Sequence, residues 1–326
     1  MSDTRPSLED VRAPARAGGQ CISLVLSSGG ARGLVHVGAI RALEAHGYEI
    51  RCVAGSSMGA LVGGIYARGK LEDFAHWVCA LNRNDILRLL DIGWGFGGGL
   101  FKGDRVIGVL KELIGDAAIE DLPIAYTAVA TDINRKREVW IDKGPLFEAI
   151  RASIAIPMVF TPVRRGAQLL IDGGVLNPLP IAPTLRDDTQ MTVAVDVNGI
   201  DEQMLNLPVA RSSKEGVVDS LEPPVEPSAR QAIADFIESL WSGRDDADAQ
   251  YQDHNMFDIA MEAMDAMQVT ISRLKLSVYT PDVMVQVPRN VAHFFEYDRA
   301  GELIDLGYAL MERQLVARQK PIAPSQ

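Results

Sequence analysis

Gly55-Ser56-Ser57-Met58-Gly59 is where this sequence comes nearest to chemistry. A serine with glycine two residues away on each side fits a G-x-S-x-G turn, a sharp strand-to-helix bend that presents the hydroxyl. The spacing has a steric reason, because a chain folded that tightly leaves no room for side chains two positions away. The run "YEIRCVAGSS" precedes the turn and "MGALVGGIYARG" follows it, so a strand and a helix are both in place. The bend would set Ser57 at a helix N-terminus, where partial positive charge favours a developing anion. Two readings fit these residues alone: Ser57 as a nucleophile, or a glycine-rich packing turn with a capping serine.

Upstream, Ser28-Gly29-Gly30-Ala31-Arg32-Gly33 offers bare backbone N–H groups leading into a helix, a setting for a phosphate or an oxyanion. It lacks the Gly-Lys-Ser/Thr ending of a P-loop, and Ser28 stands where a full G-x-G-x-x-G needs glycine. Arg32 fits two roles, a structural ion pair that orients the turn or a contact to substrate phosphate. Downstream, Asp172-Gly173-Gly174 ends the apolar run "LLI". Asp172 reads either as a cap for its own turn or, beside Ser57 and the glycine turn, as a base.

A serine nucleophile ordinarily takes a histidine base. His36, His46 and His76 fall in helical patterns early in the chain, whereas His254 and His293 follow Asp172. Neither of the latter two sits on a glycine-flanked strand end. Without a histidine, Asp172 must take the Ser57 proton itself. A free aspartate, with pKa about 3.9, is a weak base for that task, and a dry apolar site would raise the value.

The elements that must hold these residues alternate. Ile22 to Leu26 reads as a buried strand, and "GLVHVGAIRALEAHG" as a helix stopped at Gly47. Helices follow over 71–81 and 104–114, then strands "IAYTAVATDI" and "REVWID", and a helix "LFEAIRASIAI" before Pro157. "GAQLLIDGG" and "MTVAVDVN" are strands, and a long helix is predicted from Asn255 to Leu276. Phe257, Met261, Met264, Met267, Ile271 and Leu274 are expected on its inward face. "DVMVQVP" is a late strand and "DRAGELIDLGYALMERQL" a last helix. The alternation predicts an α/β fold, an open and largely parallel sheet with helices on both faces. Ligands of such sheets bind at the carboxyl ends of strands, where Gly29, Ser57 and Asp172 all fall.

The 326 residues and 47% apolar content provide a sizeable core. Residues 1–20 read as a mobile tail, 21–198 as the catalytic domain, 199–254 as an acidic insertion or lid, and 255–326 as the part that completes the domain. Residues 201–265 hold 15 acidic and 4 basic side chains, which accounts for the whole net charge of −11. With no basic face, a nucleic-acid partner is excluded. Within the acidic segment, Ile233, Phe236, Ile237, Leu240 and Trp241 share a helical face, so 229–242 reads as a packed helix or a lid. Three cysteines at no metal spacing, no secretory signal and no apolar run of about 18 residues predict a cytoplasmic protein that at most lies on a membrane.

Four stretches, in order, resemble the patatin-like phospholipases, in particular the bacterial subgroup close to the catalytic domain of neuropathy target esterase. They are "LSSGGARGLVHVG", "GSSMG", "RASIAIPMVFTPV" and "DGGVLNPLP", and they span about residues 22 to 185. The resemblance implies a patatin-like three-layer α/β/α fold and a Ser57-Asp172 dyad without histidine. It implies an oxyanion hole of N–H groups at Gly29, Gly30 and Ala31, with Arg32, Gly33, Gly55, Gly59, Gly173 and Gly174 as supporting motif positions. It further implies hydrolysis of acyl esters of phospholipids, lysophospholipids or simpler lipids, with no metal or other cofactor. Two positions depart from the family pattern: Ser28 replaces the first glycine of its run, and Gly174 stands where alanine is commoner. Two other classes remain in view, a histidine-dependent α/β-hydrolase esterase and a lipid-binding regulatory protein with a vestigial site.

Overall fold

The computed structural model describes residues 19–90, 99–199 and 256–319. Expectations for the N-terminal tail through residue 18, for the acidic segment from 200, for the helix 229–242 and for His254 lie outside the described residues.

The chain opens with β1 (Cys21–Leu26), a 3₁₀ turn (Gly30–Leu34) and α1 (Val35–Ala45). β2 (Glu49–Ser56) bends at Ser57 into α2 (Met58–Ala67). Next come α3 (Leu71–Ala80), α4 (Arg83–Leu89), β3 (Gly99–Phe101) and α5 (Asp104–Ile114). They are followed by β4 (Ala125–Asp132), β5 (Arg137–Ile141), α6 (Leu146–Ser153), β6 (Met158–Phe160), β7 (Val163–Arg165), β8 (Gln168–Asp172) and β9 (Met191–Gly199). The last described elements are α7 (Met256–Val278), β10 (Val283–Pro288) and α8 (Ala300–Gln319).

The main sheet runs β10-β9-β1-β2-β4-β8-β7, with β5 also on β4. β1, β2, β4, β9 and β10 are parallel to their neighbours in that set. β5 and β8 pair antiparallel to β4, and β7 antiparallel to β8. Side chains alternate between two layers, as the pleat requires. Ile22, Leu24 and Leu26 join the large core with α1, α2, α6 and α8, whereas Val25 and Ala194 face Leu179, Ile181 and Leu276 of α7 on the other side. The result is the predicted three-layer arrangement around a mostly parallel sheet.

One register detail positions the site. β2 and β8 share one edge of β4 and approach it from opposite ends: Ser56 pairs with Val129, and Asp172 with Ala130. The antiparallel direction of β8 therefore brings the end of β8 against the end of β2.

The inward face of α7 differs from the expectation. Met264 is buried and Met261 and Ile271 are half-buried, but Met267 and Leu274 are exposed. Gln268 and Ser272 are buried in their place. The helix carries two apolar stripes, and polar contacts to the first glycine turn decide which one faces in.

Candidate active site

Ser57 holds φ 53° and ψ −121°, a backbone conformation that non-glycine residues rarely adopt. Such a residue costs about 1–3 kcal/mol and persists only when its surroundings fix it. The surroundings do so here. The Ser57 N–H donates to Ser153 Oγ (3.0 Å), and Ser153 Oγ donates to the Val129 carbonyl (2.5 Å), stapling the bend to β4. The steric reading of the motif also holds: a Cβ on Gly55 would strike the Gly59 carbonyl, and one on Gly59 would strike the Leu26 carbonyl of β1. Ser57 is 4% exposed and opens on an internal cavity.

Asp172 is buried beside it. Its Oδ1 accepts the Gly174 N–H (2.7 Å), and its own N–H donates to the Ala155 carbonyl (2.9 Å). Among the described residues Oδ2 is buried without a partner of good hydrogen-bond geometry. Burial pushes the carboxyl pKa up to about 7, against the lowering pull of the Ser57 hydroxyl and the Gly174 N–H. The dry site thus gives Asp172 the basicity that a free carboxylate lacks. The capping role is present as well, so the two sequence readings of Asp172 are compatible.

The first glycine turn lies against the same cavity. Gly29 and Gly30 have φ 155° and 56°. Among the described residues their N–H groups have no protein acceptor. Ala31 differs from its two neighbours, because its N–H is committed to the Phe294 carbonyl (2.9 Å). The N–H of Met58 begins α2, where first-turn donors have no helical acceptor, and Met58 lines the cavity with Gly30 and Ser57.

Arg32 is a structural residue. It is 5% exposed, and its guanidinium donates to the carbonyls of Gly29 (3.3 Å) and Arg289 (3.0 Å). It also bonds Asp265 Oδ1 at 2.9 Å and Asn198 Oδ1 at 3.4 Å. Asp265 in turn pairs with Arg289 at 2.9 Å. Of the motif glycines, Gly33 packs under the Met58 side chain and Gly173 against Ser56 Oγ and the Val129 carbonyl.

Among the described residues no histidine hydrogen-bonds Ser57. His36 is fully buried under the glycine turn with Nε2 on the Ser27 carbonyl (2.9 Å), and burial lowers its pKa to about 4, so it stays neutral. His293 is exposed, its backbone N–H on Glu296.

The cavity holds about 120 Å³ and is almost wholly apolar, walled by α2, α3 and α5 and by the α4 and β6 segments. Leu61, Phe74, Val106, Leu110, Ile154 and Phe160 carry much of its lining. Besides Ser57, Tyr297 brings a hydroxyl to the lining, and burial together with the nearby Asp172 charge raises its phenol pKa. Sequence reasoning missed Ser153, Met58, Tyr297 and the α7 pair Asp265 and Gln268. Ser153 lies inside the quoted "RASIAIP" block, so a signal existed; the α7 residues had none, because their contact is set by tertiary packing.

The elbow, the buried aspartate and the mostly parallel sheet are those of a patatin-type α/β protein. Residues 24–185 match the family model Patatin-like phospholipase, and the chain belongs to that family. Within it, two NTE family proteins, from Mycobacterium bovis and Mycobacterium tuberculosis, are each 36% identical over 91% of this chain and 91% of their own length. Lysophospholipase nte1 of Emericella nidulans is 32% identical over 59% of this chain, which spans only 13% of that protein. Among solved structures, VipD from Legionella pneumophila shares the fold with a TM-score of 0.54 at 14% identity, over 94% of this chain and 68% of its own.

Proposed function

We propose that the protein is a lipid acyl hydrolase working through a Ser57-Asp172 dyad. The observation that carries this reading is Ser57 on a strained elbow, facing an apolar cavity, with a buried aspartate of pKa about 7 beside it. The reading is supported further by the family and by relatives named as lysophospholipases.

The Ser57 Oγ attacks the ester carbonyl while Asp172 takes its proton. The N–H groups of Gly29, Gly30 and Met58 are the donors for the tetrahedral oxygen, placed before the reaction and shielded from water. Ala31 is not needed in that set, since its N–H holds Phe294. When the intermediate collapses, Asp172 returns the proton to the leaving alkoxide and the acyl group stays on Ser57. Water then attacks, Asp172 takes a water proton, and the second collapse releases fatty acid and restores the Ser57 hydroxyl. The cavity holds the acyl chain. The substrate class is phospholipid, lysophospholipid or another acyl-ester lipid; no helix among the described residues is long and apolar enough to cross a membrane.

A fluorophosphonate probe followed by peptide mass spectrometry tests the nucleophile. Labelling at Ser57, with loss of hydrolysis of p-nitrophenyl esters and lysophospholipid in Ser57→Ala, is expected. Undiminished turnover in Ser57→Ala overturns the reading.

A further inference from the structure

The two positions that depart from the family pattern touch one another. Ser28 is 1% exposed and its hydroxyl donates to Gln268 Oε1 of α7 at 2.9 Å. A Cβ on Gly174 would lie 2.8 Å from Ser28 Oγ, 2.9 Å from Ser28 Cβ and 2.9 Å from Gln268 Nε2. Carbon atoms do not approach that closely, so a serine at 28 in this conformation excludes an alanine at 174. The remaining polar atoms of Ser28 are also held. Its N–H donates to the Pro178 carbonyl (2.8 Å), and its own carbonyl accepts from Asn198 Nδ2 (3.0 Å).

We propose that Ser28 and Gly174, packed against Gln268, form one positioning unit whose steric match sets the Gly29-Gly30 turn against the Asp172 turn. The unit rests on the dyad reading above. Its logic is geometric. Gly174 donates its N–H to Asp172 Oδ1, so anything that pushes Gly174 away from Ser28 shifts the donor that partly stabilises the ionised carboxylate. Ser28 is followed directly by Gly29 and Gly30, whose N–H groups have no protein acceptor among the described residues. The missing Cβ of Gly174 makes room for the Ser28 side chain, whose hydroxyl reaches on to Gln268 of α7. Ser28 and Gly174 therefore act as a matched pair rather than as two independent departures.

The test is a double-substitution cycle read by ester hydrolysis, its pH profile and thermal melting. Gly174→Ala is expected to lower kcat/KM by about tenfold or more, mainly through kcat. It should also move the acid limb of the pH profile upward, because the Gly174 N–H bond to Asp172 is weakened. Adding Ser28→Gly should restore most of the lost activity and melting temperature, since only the far end of Gln268 then needs to swing aside. Adding Ser28→Ala instead should not, because the Cβ contact remains. Rescue by glycine but not by alanine supports the unit. Multiplicative losses in Ser28→Gly/Gly174→Ala, or equal rescue by both, overturn it. If Gly174→Ala fails to fold, folding regained only with Ser28→Gly supports the unit, and no recovery overturns it. If the wild type has no Ser57-dependent turnover, the dyad reading fails separately, and the melting cycle still decides the coupling.

Discussion

At the residue scale, the proposed base Asp172 sets the expected pH behaviour. In that role it must be ionised to take the Ser57 proton, and burial pushes its pKa up to about 7. kcat/KM should therefore fall about tenfold per unit below pH 7, as a single protonation requires, and an acid limb near pH 4 would remove Asp172 from the base role. Stability follows with the opposite preference. The folded value lies above the ordinary 3.8, so the group's contribution is fully present below about pH 3.8 and is lost as pH rises through about 7. Asp172→Asn, which cannot ionise, should be inactive yet more stable to unfolding than wild type at pH 8, by roughly 4 kcal/mol for a shift of about three units, with the gain vanishing near pH 4. Ser153 is the second residue-scale case. Ser153→Ala leaves the Ser57 N–H and the Val129 carbonyl buried without their partner, which costs about 1–3 kcal/mol. A loosened elbow should lower kcat more than it raises KM, and steady-state kinetics with urea unfolding check both effects.

At the element scale, the local units were readable because their signals are local. The α5 pattern gives Asp104–Ile114, and the Ser57 elbow needs only a strand, two glycines and a helix. The meeting of Ser57 with Asp172 was not readable from periodicity, because it depends on β8 entering the β4 edge antiparallel and ending at Ala130. Nor was the inward face of α7, where Gln268 is drawn in by Ser28 while Met267 and Leu274 stay out. The chain-order resemblance implied a Ser57-Asp172 pairing without that geometry, but it could not show that the Ala31 N–H is occupied by Phe294. Helix packing makes a further prediction here. α5 contributes Val106, half-buried, to the cavity wall. Val106→Phe should shorten the preferred acyl chain, with little change on acetyl esters and about tenfold or more loss on ten- to twelve-carbon esters, as pocket contacts of a few methylenes allow. Uniform losses across a p-nitrophenyl ester series would instead show that the chain lies elsewhere.

At the scale of the whole molecule, the site is assembled from segments more than 200 residues apart. The first glycine turn, α7 and the turn after β10 converge on Asp265, which bonds Arg32 at 2.9 Å and Arg289 at 2.9 Å. Asp265 and Gln268 lie three residues apart on one helical face, so a single turn of α7 grips the glycine turn at both Arg32 and Ser28. The C-terminal part is thus a structural half of the site: β10 extends the sheet at β9, and α8 packs in the core with α1. Removing Asp265 leaves the buried Arg32 charge without its carboxylate. Breaking a fully buried pair in this way costs about 3–5 kcal/mol, and with Asp265 19% exposed a loss of roughly 2–3 kcal/mol is expected after solvent screening. Asp265→Ala should lower the melting temperature by that equivalent and reduce kcat, because the Gly29 carbonyl that Arg32 holds belongs to the turn proposed to carry the oxyanion donors. Asp265→Asn keeps the shape and one acceptor, so it should fall between. High salt should change the difference little, since the pair is mostly shielded from solvent. An Asp265→Ala protein that melts with wild type would show that the clamp contributes nothing and that the glycine turn is held by its other bonds alone.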